Sequence, residues 1–183
     1  MVHQRTSVGL DVHARSVLAC GLDRETGEVV EQRLCPDHRE ILDWIARLPA
    51  PAAVTYEAGP TGFGLARALT AAGIDCVVAA PSKLIRPAGD RVKTDARDAV
   101  LLARLLQLGQ IAAVTVPTVE QEAARDLVRA REDCRADLMR ARHRISKLLL
   151  RQGIMYYGKA PTRPGKLRVT PSGQHPTIIT GKF

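Results

Sequence analysis

With 183 residues, the chain has room for one domain of ordinary size and an appendage. Aromatic residues are only 3 % of it, so its core must be built from Val, Leu, Ile and Ala. The net charge is +8: residues 1–119 balance 13 Lys/Arg against 13 Asp/Glu, while residues 120–183 carry 14 against 6 and supply the whole excess. A neutral globular part followed by a basic extension is the footprint of a polyanion partner or a solubilising tail. No run approaches the ~18 apolar residues of a membrane span, and the N-terminus lacks a signal-peptide pattern, which predicts a soluble, cytoplasmic protein with no membrane partner. Cys20, Cys35, Cys76 and Cys134 show no C-x-x-C spacing and three lie in apolar contexts, which predicts free, mostly buried thiols in a reducing compartment.

The first elements read as strands over residues 6–12, 16–22 and 28–34, with a turn at Asp23–Gly27 short enough for antiparallel pairing. Ile41, Leu42, Ile45 and Leu48 then share one face of a helix over 38–48, stopped by Pro49 and Pro51. A fourth strand ends at Glu57, a helix spans about 62–72 and closes at Gly73, and a fifth strand covers 75–80. A basic loop over 81–94 leads into a helix over 95–108. Three meander strands followed by alternating helix and strand predict an α/β mixed sheet with flanking helices.

A second unit is expected from Pro117. Thr118 and Gln121 form a capping box for a helix running to about residue 152. Leu127, Cys134, Ala141 and Leu148 recur every seven residues, with Leu138 and Ile145 between them, as in a coiled-coil seam interrupted at Arg131. Such a helix cannot bury its own stripe, so a partner helix is expected. From about 154 onward the chain reads as a disordered basic tail: four prolines, no acidic residue and no periodicity mark the last 25 positions. The expected divisions are therefore 1–116, 117–153 and 154–183.

Four carboxylates carry the chemical signal. Asp11 closes the apolar run Ser7–Leu10, and Glu57 follows Ala52–Tyr56 and opens Gly59-Pro60-Thr61-Gly62. Asp95 and Asp98 are three apart at a helix start and share a face. Two like charges at ~4 Å repel by roughly 4 kcal/mol at the effective dielectric of a protein surface, so converging carboxylates call for a cation. Hard oxygen ligands suit Mg²⁺ or Mn²⁺, and two such ions can clamp a phosphodiester. Each residue also has a plain structural role open to it: a strand-end turn for Asp11, a helix entry around Glu57, and helix capping or dipole pairing for Asp95 and Asp98. His13, His38 and His143 are too scattered for a metal site.

Lys83, Arg86, Arg91 and Lys93 make the loop before this pair basic, and Arg140, Arg144, Lys147 and Arg151 lie on the long helix. From Leu138 to the end there are ten Lys/Arg and no Asp/Glu, which fits phosphate binding as well as a solvated face.

Val8-Gly9-Leu10-Asp11-Val12-His13, Tyr56-Glu57-Ala58-Gly59-Pro60-Thr61-Gly62 and Lys93-Thr94-Asp95-Ala96-Arg97-Asp98-Ala99 occur in that order and lead into the long helix ending at Arg151-Gln152-Gly153. Over residues 6–158 this resembles the N-terminal half of the DEDD transposases of bacterial insertion sequences, the group that includes the Piv and MooV DNA invertases. The resemblance implies a RuvC-like, ribonuclease-H fold and a tetrad of Asp11, Glu57, Asp95 and Asp98 binding two Mg²⁺ (or Mn²⁺) ions. It implies DNA strand cleavage and transfer, a structured guide RNA as partner, and homo-oligomers formed through the long helix. It also implies a second, C-terminal domain with a nucleophilic serine, which the last 25 residues do not resemble. The expectation is a truncated or frame-shifted transposase, with a catalytically inactive nucleic-acid-binding remnant as the alternative. A phosphotransferase of related topology fits less well, because no glycine-rich nucleotide loop accompanies Asp11.

Overall fold

The computed structural model describes residues 4–84, 95–155, 168–171 and 177–178, and for 95, 96, 155 and the last two segments the backbone alone. Residues 1–122 and 123–183 form two compact units.

In the first unit, strands β1 (Thr6–Val12), β2 (Val17–Asp23), β3 (Val29–Leu34), β4 (Ala52–Glu57) and β5 (Asp75–Ala79) form one sheet in the order β3-β2-β1-β4-β5. β1, β2 and β3 pair antiparallel as the short turns require, whereas β4 and β5 run parallel to β1. The parallel crossovers are made by helices α1 (His38–Ile45) and α2 (Gly64–Ala71). Helix α3 (Asp95–Gln107) packs on β1, β2 and β4. This is the mixed α/β sheet that the sequence pattern predicts, in the ribonuclease-H-like arrangement that the resemblance implies.

Strand alternation sorts the core into two layers. Val8, Leu10, Val17, Ala19, Val54, Tyr56 and Val78 pack with Ile41, Trp44, Ile45, Leu65 and Leu69 of α1 and α2. On the opposite face Cys20 packs with Ala99 and Ala103 of α3, flanked by Leu18, Leu22 and Val100. β1 and β4 are covered on both sides, which explains their near-continuous apolar sequences. Beyond β5, Ala80 N–H donates to the Ala112 carbonyl at 2.9 Å and Val114 N–H to the Val78 carbonyl at 2.8 Å, so segment 112–114 covers that sheet edge.

Observed ends fall within a few residues of those expected. The clearest difference is α1, which ends at Ile45 rather than 48, with Arg47 and Leu48 held by tighter bonds to the Trp44 and Ile45 carbonyls. The expected basic loop opens with a 3-10 turn, Pro81–Lys83, and its residues 85–94 lie outside the described residues. The thiols are free, but Cys35 and Cys134 are exposed and Cys20 alone is fully buried, so the expectation of mostly buried thiols is corrected. Cys35 follows the last residue of an edge strand, and Cys134 lies on a helix with no buried residue.

Helix α4 (Val119–Arg151) begins in the first unit and continues in the second. Its capping box is formed: Gln121 N–H donates to Thr118 Oγ1 and Gln121 Oε1 accepts from Thr118 N–H, both at 3.2 Å. Leu127, Leu138, Ile145 and Leu148 of the seam are all exposed. In the tail, where the sequence suggested no element, β6 (Ile154–Met155), β7 (Arg168–Pro171) and β8 (Thr177–Ile178) pair as a small antiparallel sheet. β-branched and apolar residues recur at these positions despite the flanking prolines.

Candidate active site

Asp11 lies near the carboxyl end of β1 and Glu57 at the carboxyl end of β4. The parallel register sets Gly9 level with Thr55 and Leu10 level with Tyr56; one residue further, Asp11 stands level with Glu57. Asp11 shares a sheet face with Gly9, and Glu57 shares the same face with Thr55. That face is the one α3 covers. Both carboxylates are half-buried.

The approach of α3 is fixed by the absence of a side chain at Gly9. A Cβ there would lie 2.1 Å from the Ala99 carbonyl oxygen and 2.5 Å from Ala103 N, so the helix backbone rests directly on the strand. Ala99 also borders a crevice with Leu18, the β2 residue paired with Asp11. Asp98 immediately precedes Ala99 and ends the first turn of α3. Asp98 is half-buried, whereas the Asp95 side chain lies outside the described ones. Among the described residues, no three His, Cys, Asp or Glu side chains stand close enough together to hold a metal ion.

Two residues join this region that the sequence reading did not select. His13 Nε2 stands 3.0 Å from Asp11 Oδ2, at the tight turn where His13 N–H bonds the Ser16 carbonyl. The spacing of two across a hairpin end was the available signal. Glu122 belongs to the first unit and reaches the motif that begins at Glu57. Its Oε1 accepts from Phe63 N–H at 3.0 Å and its Oε2 from Arg67 Nη2 at 2.5 Å, while Arg67 also donates to the Pro117 carbonyl at 2.9 Å. Hydrogen bonding by Arg67, then by Phe63 N–H, holds the Glu122 carboxyl below the usual range. Gly62 has φ +72°, which favours glycine, and a Cβ there would lie 2.6 Å from Glu122 Oε1, so the carboxylate would have to shift to admit one. No local pattern links Gly62 to a residue 60 positions away.

Of the basic candidates, Lys83, Arg140, Arg144, Lys147 and Arg151 are exposed. Arg140 pairs with Asp137, and Arg131 pairs with Glu132 at 2.6 Å. Arg86, Arg91 and Lys93 lie outside the described residues. No described helix is long and apolar enough to cross a membrane.

Residues 8–153 match the sequence profile of the IS110-type DEDD family, described as a transposase. This chain belongs to that transposase family. It is 37 % identical over 156 residues to the transposase for insertion sequence element IS1533 of Leptospira borgpetersenii, an alignment covering 82 % of this chain and 45 % of that protein. It is 50 % identical over 104 residues to y4qE of Sinorhizobium fredii, covering 57 % of this chain and 27 % of the relative. The chain thus spans less than half the length of either relative.

Proposed function

We propose that Asp11, Glu57, Asp95 and Asp98 form one carboxylate tetrad that holds two Mg²⁺ (or Mn²⁺) ions and acts on a DNA phosphodiester during transposition. The observation that carries this reading is the shared level and face of Asp11 and Glu57 beneath a helix that rests on Gly9 through Ala99 and Ala103. All four donors are hard carboxylate oxygens, the type these ions select. When bound, such ions polarise a phosphoryl oxygen and lower the pKa of a coordinated water.

The chain's own residues supply position. Sheet hydrogen bonds fix the two strands that carry Asp11 and Glu57, and contact at Gly9 fixes the helix that carries Asp95 and Asp98. His13 orients the Asp11 carboxylate through Oδ2. Lys83, Arg86, Arg91 and Lys93, with Arg140, Arg144, Lys147 and Arg151, bind phosphates of DNA and of a structured guide RNA. The exposed Leu127, Leu138, Ile145 and Leu148 pair with the same helix of a second copy. The exposed basic helix would serve equally well in a second reading, a nucleic-acid-binding protein without chemistry.

Incubation of the 183-residue chain with supercoiled DNA, with and without Mg²⁺ or Mn²⁺, separates the two. The tetrad reading expects metal-dependent nicking that Glu57→Gln lowers by about 10- to 100-fold or more, on the scale of losing a metal-site group. Salt-sensitive DNA binding with no metal-dependent cleavage, or cleavage unchanged in Glu57→Gln, supports the non-catalytic reading.

A further inference from the structure

Behind the strand carboxylates, on the sheet face covered by α1 and α2, the first unit contains a cleft of about 280 Å³. Val12, Val17, Ile41 and Leu65 make its wall apolar, and His13, His38 and Thr61 add polar groups. It opens beside the candidate site: Val12 follows Asp11, His13 contacts Asp11, and Thr61 belongs to the turn that begins at Glu57. His38 is held against α2, with its Cε1 3.3 Å from the position of a Cβ on Gly64. The cleft therefore adjoins two segments, the end of β1 and the turn after β4, that carry Asp11 and Glu57.

We infer that this cleft receives one unstacked nucleobase of the strand whose backbone lies at the carboxylates. The inference rests on the proposed function, since a phosphodiester at Asp11 and Glu57 brings its neighbouring base to this edge of the sheet. A flat aromatic ring suits a small apolar slot, and imidazole rings are among the side chains on which unpaired bases stack. Thr61 and the two histidines offer donors and acceptors to the base edge. Bulk phosphate binding by the basic helix needs no such cavity.

Photocrosslinking with a single-stranded DNA oligonucleotide containing 4-thiothymidine, and in a parallel arm an RNA containing 4-thiouridine, tests this on the 183-residue chain. Peptide mapping should place crosslinks within 12–17, 36–41 or 61–65; the arm that yields them identifies DNA or RNA as the source of the base. Ala14→Leu puts bulk into the cleft from an exposed turn and should cut those crosslinks by about tenfold or more, the scale of one lost base contact. Crosslinks elsewhere should persist. Thr61→Val, which keeps the shape, should weaken the same crosslinks less. Crosslinks confined to α4 and other basic segments would overturn the cleft assignment and leave the DNA-binding reading standing. Absence of any binding to either oligonucleotide would overturn both.

Discussion

Ala99 occupies the space that a side chain at Gly9 would need: its carbonyl oxygen lies 2.1 Å from where that Cβ would stand. The obstacle is helix backbone, which cannot rotate aside. Overpacking typically costs about 1–3 kcal/mol, and Gly9→Ala should fall at or above the upper end. Gly59→Ala, whose nearest obstacle is 3.8 Å away, should stay within about 0.5 kcal/mol of wild type. Urea unfolding of the two variants checks the contrast. Equal stabilities would mean that α3 does not rest on β1 as described.

Metal should stabilise the protein through the same region. With ion at about 100 times its dissociation constant, linkage contributes about 2.7 kcal/mol. Asp98→Asn should abolish that gain while leaving the metal-free protein as stable as wild type or slightly more so, because one of four like charges is removed. A metal-free variant that melts markedly lower would instead assign Asp98 a helix-capping role.

The Glu122 carboxyl is held below the usual range, chiefly by Arg67, and Asp23 likewise, first by the Glu25 N–H. A native value below the unfolded one gives stability that is complete above the unfolded pKa of about 4 and lost as pH falls through the native value. Thermal melting should thus weaken from about pH 5 downward. Glu122→Gln should flatten that acid limb. An unchanged pH profile in this variant would show that the contacts to Arg67 and Phe63 do not contribute to stability.

Tyr56 is fully buried, and its hydroxyl makes no well-formed hydrogen bond among the described residues, with only the Ala66 backbone as a weak polar neighbour. Burial pushes the phenol up to about 12. Removing an unsatisfied buried hydroxyl relieves a desolvation cost, so Tyr56→Phe should be neutral or up to about 1 kcal/mol stabilising. A clear loss in denaturant unfolding would reveal a bond to that oxygen.

Nucleic-acid binding should be steeply salt-dependent, with a slope near −0.9 for each duplex phosphate contacted. Changing Arg140, Arg144, Lys147 and Arg151 together to Gln should flatten the slope by about 3 to 4 units if all four touch phosphates. Binding isotherms that keep the full slope would place the contacts on the Lys83–Lys93 segment.

The sequence made the sheet legible because its signals were local. The apolar run ending at Asp11, the Asp23–Gly27 turn and the Thr118/Gln121 box each declare themselves within a few residues, and each forms as read. Contacts decided by tertiary packing were not legible. Glu122 meets Phe63 and Arg67 across more than 50 residues, and nothing in its helical context distinguishes it from the neighbouring acid Glu120. Gly9 read as a motif position, but its reason, the backbone of α3, lies 90 residues away. The tail strands were hidden because segments of two to four residues produce no measurable period.

The central claim is that three separate segments converge on one cation site. Iron-mediated cleavage tests it most directly: Fe²⁺ replaces Mg²⁺, and ascorbate with peroxide cuts the backbone close to the bound ion. The account predicts cuts near residues 11, 57 and 95–98 together, all suppressed by excess Mg²⁺ and all lost in Asp11→Asn. Cuts at a single segment, or scattered cuts that Mg²⁺ does not suppress, would contradict it.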